Sequence, residues 1–210
     1  MRLINYRDIL YSFYSPLKDL NRGEPRQQFI KDNIPVNTVG VEVGVAGGKH
    51  ASYLYEFAKP KHLTLIDHWD SQDLKYYYFG TKEKTTTQYE KVLEWSAGKN
   101  ITVTKADSVQ GSTTLDDESK DWIYIDGDHT YEGVMRDLKA YWPKLKKGGI
   151  LMGDDLSIFD QKKKFGVDKA LMEFFPDDTP LYLEVQNIDH SRRDDNGKPW
   201  IFYSFKIVKE

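Results

Sequence analysis

Apolar residues along this chain alternate between two periods. Short, β-rich apolar runs occupy residues 38–45, 62–67, 101–107, 121–126 and 149–154. Between them lie stripes at helical spacing: Ala51, Leu54, Tyr55 and Ala58, then Tyr89, Val92 and Leu93. A third stripe runs through Tyr131, Val134, Leu138, Tyr141, Trp142 and Leu145, with Thr130 placed to cap it and Pro143 to end or kink it. A fourth, Val167, Ala170, Leu171, Phe174 and Phe175, stops at Pro176. Near-continuous apolar strands alternating with amphipathic helices predict a parallel α/β sheet covered on both faces. The 108–120 link has little room for a full helix. After Pro180, two strand-like runs at 181–186 and 200–208 flank a polar connection holding Asn196-Gly197, which predicts an antiparallel hairpin appended to the sheet. Tyr6, Leu10, Phe13, Leu17 and Leu20 are spaced for a helix interrupted at Pro16. Residues 1–36 therefore read as a helical cover and 37–210 as the sheet domain, within one compact unit.

Composition narrows the function classes. A chain of 210 residues fits a single core. Its 30 basic and 33 acidic side chains leave a net charge of −3, so no global field attracts nucleic acid and no nucleic-acid partner is expected. The absence of cysteine excludes disulfides, zinc thiolate sites and a cysteine nucleophile. Charges break up the N-terminal stretch, and no run approaches the ~18 apolar residues of a membrane span, so a cytoplasmic protein without membrane partners is expected.

Chemistry concentrates at the strand ends, where open α/β sheets bind ligands. The first strand runs through Glu42 into a turn holding Gly44, Gly47 and Gly48, and the helix behind it presents free N–H groups. A phosphate-binding P-loop fails here, because His50 stands where Ser or Thr belongs and Val43 replaces the first glycine. A dinucleotide fingerprint would need Gly40, which falls within the strand. The third pattern is E-x-G-x-x-x-G over Glu42, Gly44 and Gly48. Asp67, 23 residues after Gly44, ends the second strand, where an acid can grip a ribose diol. Asp107 and Ser108, after the third strand, are candidates for contact with an adenine ring. These features suit an adenosine-type ligand and leave NAD and S-adenosylmethionine both open.

The segments 121–133 (DWIYIDGDHTYEG) and 145–155 (LKKGGILMGDD) resemble the fourth- and fifth-strand signatures of class I S-adenosylmethionine-dependent methyltransferases. They are most similar to the metal-dependent small-molecule O-methyltransferase branch that includes macrolide-sugar enzymes, with catechol O-methyltransferase more distant. The resemblance spans residues 36–208. It implies a Rossmann-like, doubly wound sheet of seven strands in the order 3-2-1-4-5-7-6, the last strand antiparallel and helices on both faces. It also implies S-adenosylmethionine held by Glu42, Gly44, Gly47, Gly48, Asp67, Asp107 and Ser108.

If the fourth and fifth strands are neighbours, ~4.8 Å apart, the carboxylates of Asp126, Asp154 and Asp155 converge and repel one another unless a cation holds them. Hard oxygen donors favour Mg²⁺, with Mn²⁺ or Ca²⁺ as substitutes. The resemblance makes those three acids the metal ligands and His129 the general base that deprotonates the acceptor. Gly153-Asp154-Asp155 also reads as a simple turn and cap, and Asp128 competes with Asp126 for the ion. His50 is a weaker candidate for the cofactor carboxylate. Tyr76-Tyr77-Tyr78-Phe79 reads as packing more than as a roof over an acceptor, and Lys162-Lys163-Lys164 as a solvated run. The expected partner is a small-molecule acceptor, a sugar or other vicinal diol, with homo-oligomerisation left open. The alternatives are an NAD-dependent sugar dehydrogenase or epimerase, and a catalytically silent carbohydrate-binding subunit of the same fold.

Overall fold

The computed structural model describes residues 23–69, 82–156, 166–193, 197 and 199–210. The stripe from Tyr6 to Leu20, the aromatic run 76–79, Lys162–Lys164 and Asn196 lie outside the described residues. Strands β1 (Val39–Val43), β2 (His62–Asp67), β3 (Ile101–Lys105), β4 (Lys120–Ile125), β5 (Leu145–Leu156), β6 (Tyr182–Arg193) and β7 (Pro199–Val208) form one seven-stranded sheet of order β3-β2-β1-β4-β5-β7-β6. The first five run parallel, and β7 inserts antiparallel between β5 and β6. This is the doubly wound topology implied by the strand signatures. Among the described residues, no helix is long and apolar enough to cross a membrane.

Strand alternation divides the core between the two faces of the sheet. Val41, Val43, Ile123, Ile125 and Leu151 pack with Val134, Leu138 and Tyr141 of α5 (Tyr131–Tyr141) and with Ala170 and Leu171 of α6 (Val167–Phe174). Leu63, Leu65, Trp122, Tyr124 and Met152 face the other way, onto Phe29 and Ile30 of α1 (Gly23–Asn33) and Ala51 of α2 (Lys49–Tyr53). The Ala51 stripe does not stay α-helical. It widens to a π-helical turn at Leu54–Ala58, which keeps Leu54 and Ala58 fully buried before Lys59 reverses the chain at φ 45°. Two further helices complete the parallel half: α3 (Lys82–Ser96), 15 residues before β3, and α4 (Ser108–Ser112), a single turn and a half in the cramped link before β4.

One irregularity positions the site. Gly153 pairs with Phe205 and Leu156 with Tyr203, so Asp154 and Asp155 together oppose the single residue Ser204. Asp155 takes up the extra length at φ 55°. Such a bulge redirects the side chains on either side of it.

Candidate active site

At the end of β1 the chain turns at Gly44, with φ +87°, a conformation that L side chains rarely adopt. A Cβ there would lie 2.2 Å from the carbonyl oxygen of Asp126, so the missing side chain is what lets the turn close on the end of β4. The turn is tied down by Asp67. Its Oδ2 accepts from the backbone N–H groups of Val45 (2.8 Å) and Ala46 (2.9 Å), and its Oδ1 accepts from Trp69 N (2.8 Å). A carboxylate offers about four acceptor positions, so these three bonds anchor the turn and leave about one position for a further partner. Trp69, which the sequence did not single out, returns the contact by donating from Nε1 to the Ala46 carbonyl at 2.8 Å. Gly40 sits inside β1 beneath the Trp122 indole, a packing role unrelated to the turn.

Beneath the turn, Glu42 is fully buried and its Oε1 lies 2.9 Å from Nδ1 of His50. The His50 ring packs on Tyr124, centroids 4.3 Å apart. Burial pushes the Glu42 carboxyl pKa up, against the opposing pull of His50. Its second oxygen, Oε2, is buried with no hydrogen-bond partner among the described residues. A buried acceptor without a donor is costly, and this one sits directly under the strand-to-helix turn.

Asp107 and Ser108 lie at the start of α4. Asp107 caps the helix by accepting from Val109 N at 2.9 Å, and its half-exposed side chain stands 3.4 Å from Arg136 Nη1. The Ser108 hydroxyl donates to Asp137 Oδ1 at 2.5 Å, and the Ser108 carbonyl accepts from the Tyr141 hydroxyl at 2.6 Å. The pair therefore docks α4 onto α5.

The acids at the ends of β4 and β5 separate into two groups. Asp126, His129 and Asp155 bring one donor atom each within 4.8 Å of one another, with His129 Nε2 3.4 Å from Asp155 Oδ2. Asp154 points elsewhere, because it precedes the redirecting residue of the bulge. Fully buried, it accepts from the Ser204 hydroxyl through Oδ1 and pairs through Oδ2 with Arg26 Nη2 at 2.5 Å. The same Nη2 lies 3.4 Å from Asp126 Oδ2. Burial works against charge on Asp154, but Arg26 reverses the effect and holds its carboxyl below the ordinary range. Burial, reinforced by the neighbouring Asp154 and Asp155, raises Asp126. Burial alone would lower Arg26; Asp154 and then Asp126 outweigh it, and the guanidinium stays charged. Asp128 turns back onto α5, where its Oδ1 accepts from Thr130 N at 2.9 Å, so Asp126 is the one that faces the cluster.

Comparison with known proteins agrees with this fold. A family model described as a methyltransferase domain matches residues 41–156. The chain belongs to the S-adenosylmethionine-dependent methyltransferase family. No curated protein matches it in sequence. Among solved structures it is similar in fold to precorrin-6y C5,15-methyltransferase from Geobacter metallireducens (TM-score 0.60, 13% identity, 95% of each chain). A SAM-dependent methyltransferase from Aquifex aeolicus superposes with TM-score 0.54 at 14% identity, over 89% of this chain and 90% of that one. A Streptococcus mutans protein solved in complex with SAH gives 0.56 at 10% identity, over 90% and 99%.

In the methyltransferase, the matched segment carries every candidate cofactor, metal and catalytic residue of the sequence reading, from Glu42 to Asp155. It excludes α1, and with it Arg26, the buried cation that sequence reasoning missed. Arg26 shares a helix face with Phe29 and Ile30, three and four positions on, and both of these are buried. That spacing was the available signal, but it marks a buried position without naming its partner.

Proposed function

We propose that this methyltransferase transfers the methyl group of S-adenosylmethionine to a hydroxyl of a small molecule, a sugar or other vicinal diol, with a divalent cation, Mg²⁺ first among them, at the acid cluster. The observation that carries the reading is the meeting of Asp126, His129 and Asp155 at the ends of β4 and β5, where Gly44 brings the turn against Asp126. The residues present fit both groups. Glu42 Oε2 is a buried acceptor awaiting a donor, beneath a turn that Asp67 holds in shape. Asp126 and Asp155 supply two carboxylates, the number by which Mg²⁺ is often held beside water and substrate oxygens.

When bound, the sulfonium supplies an electrophilic methyl group and the divalent ion lowers the pKa of a coordinated hydroxyl. The chain does the rest. The turn and Glu42 orient the donor, with Asp67 stiffening the turn beneath it. Asp126 and Asp155 are the carboxylates that would hold the cation, which would supply a binding point for the acceptor hydroxyl. His129 Nε2 takes the hydroxyl proton, and Asp155 Oδ2, 3.4 Å away, stabilises the imidazolium that forms. Alignment for in-line transfer then supplies much of the rate enhancement.

Titration calorimetry with S-adenosylhomocysteine and with NAD, followed by a methyl-transfer screen on sugars and vicinal diols with EDTA or Mg²⁺, tests the reading. It expects S-adenosylhomocysteine to bind, NAD not to bind, and transfer to depend on the cation. Tight NAD binding with no response to S-adenosylhomocysteine would overturn it, as would transfer to the hydroxyl unaffected by EDTA for the metal part.

A further inference from the structure

One guanidinium nitrogen stands between two of the acids at the sheet's carboxyl edge. Arg26 Nη2 contacts Asp154 Oδ2 at 2.5 Å and Asp126 Oδ2 at 3.4 Å, the bridging position a cation takes between two carboxylates. Its side chain is only 14% exposed and that of Asp154 not at all, so water screens the pair poorly. Three carboxylates and one guanidinium leave two uncompensated negative charges, which a single divalent ion balances. The Arg26 Nε is buried with no hydrogen-bond partner among the described residues, so the guanidinium is not fully satisfied where it sits. An unpartnered buried donor carries a desolvation cost that the contacts of Nη2 do not recover.

Resting on the metal-dependent reading above, we propose that Arg26 is a resident cation that competes with the divalent ion for Asp126 and keeps Asp154 out of the ligand set. With Arg26 in place, the ion is confined to Asp126 and Asp155, on the His129 side. When Arg26 is withdrawn, Asp154 joins them. Because Arg26 is carried by α1, outside the matched methyltransferase segment, the position of that helix sets how tightly the site holds its metal.

The test is Mn²⁺ binding by the full-length protein, without cofactor or acceptor, followed by calorimetry and by the electron paramagnetic resonance signal of free Mn²⁺. Arg26→Gln is expected to tighten Mn²⁺ binding at least tenfold. Asp154→Asn in the otherwise unaltered protein should change it less than threefold, whereas in the Arg26→Gln background it should abolish the gain. Arg26→Lys keeps the charge on a more flexible side chain without the rigid planar guanidinium, so it should fall between the unaltered protein and Arg26→Gln, and serves if Arg26→Gln does not fold. If the unaltered protein binds Mn²⁺ and neither Arg26 variant binds it more tightly, the competition is overturned and the metal reading stands. If neither the unaltered protein nor any Arg26 variant takes up Mn²⁺, both fall together.

Discussion

His129 Nε2 lies 3.4 Å from Oδ2 of Asp155, joining the loop after β4 to the bulge of β5. The imidazole comes from the loop between Asp126 and the Thr130 cap of α5, so it is held by a strand end on one side and a capped helix on the other. His129→Ala should lower turnover by about 10²–10⁴-fold, the usual contribution of a general base. The affinity for S-adenosylhomocysteine should stay within about twofold. Equal losses in turnover and in cofactor affinity, measured by calorimetry alongside the rate assay, would assign His129 to structure instead.

Gly44 and Gly47 separate folding from ligand approach. Gly44→Ala combines φ +87° with a Cβ 2.2 Å from backbone, and should cost about 3 kcal/mol of stability. Gly47 meets nothing closer than the Gln88 side chain at 3.7 Å, so Gly47→Ala should stay within about 0.5 kcal/mol by urea denaturation. Its effect should appear in weaker S-adenosylhomocysteine binding.

Asp67→Ala removes the acceptor of the Val45, Ala46 and Trp69 amides together. A loss of about 3 kcal/mol in stability is expected from hydrogen bonds to a charged group. S-Adenosylhomocysteine affinity should drop at least tenfold because the turn loosens. A variant that melts like the unaltered protein yet binds the ligand poorly would make Asp67 a direct ribose contact and not the turn's anchor.

Asp137 gives the protein a pH signature distinct from that of the acid cluster. Burial raises its carboxyl to about 6, against the opposing hydrogen bond from Ser108. The folded state therefore holds this proton more tightly than the unfolded chain, whose carboxyl titrates near 4. That contribution is full below about pH 4 and is lost as the pH rises through 6, a difference of about 3 kcal/mol. Asp137→Asn should raise the melting temperature at pH 7.5, and the gain should vanish near pH 4. A gain that persists at low pH would show that burial of charge is not its source.

The fold was legible wherever apolar runs were bounded by turn residues. The run at 62–67 matches β2 end to end. β5 begins earlier, at Leu145, because Lys146, Lys147, Gly148 and Gly149 break the apolar pattern without breaking the strand. β6 reaches Arg193 for a related reason: an edge strand can pair through its backbone with the apolar β7 where its own sequence, from Gln186 on, turns mostly polar. The acids at the strand ends were equally visible, since each follows an apolar run. Their directions were not. Asp154 and Asp155 are adjacent in sequence and part company only because β7 offers one residue opposite them. The partner of Asp154 lies on a helix far upstream, and no local pattern connects Arg26 to it.

That pairing of two residues against one has a consequence for how the strand end tolerates change in length. Removing either aspartate would restore a regular ladder against Ser204 and leave one acid where two environments now exist, the buried one beside the guanidinium and the more open one beside the imidazole. A substitution weakens one environment, whereas a single-codon deletion merges them. The division of labour between these neighbours is therefore written in the spacing of the chain as much as in the identity of its side chains.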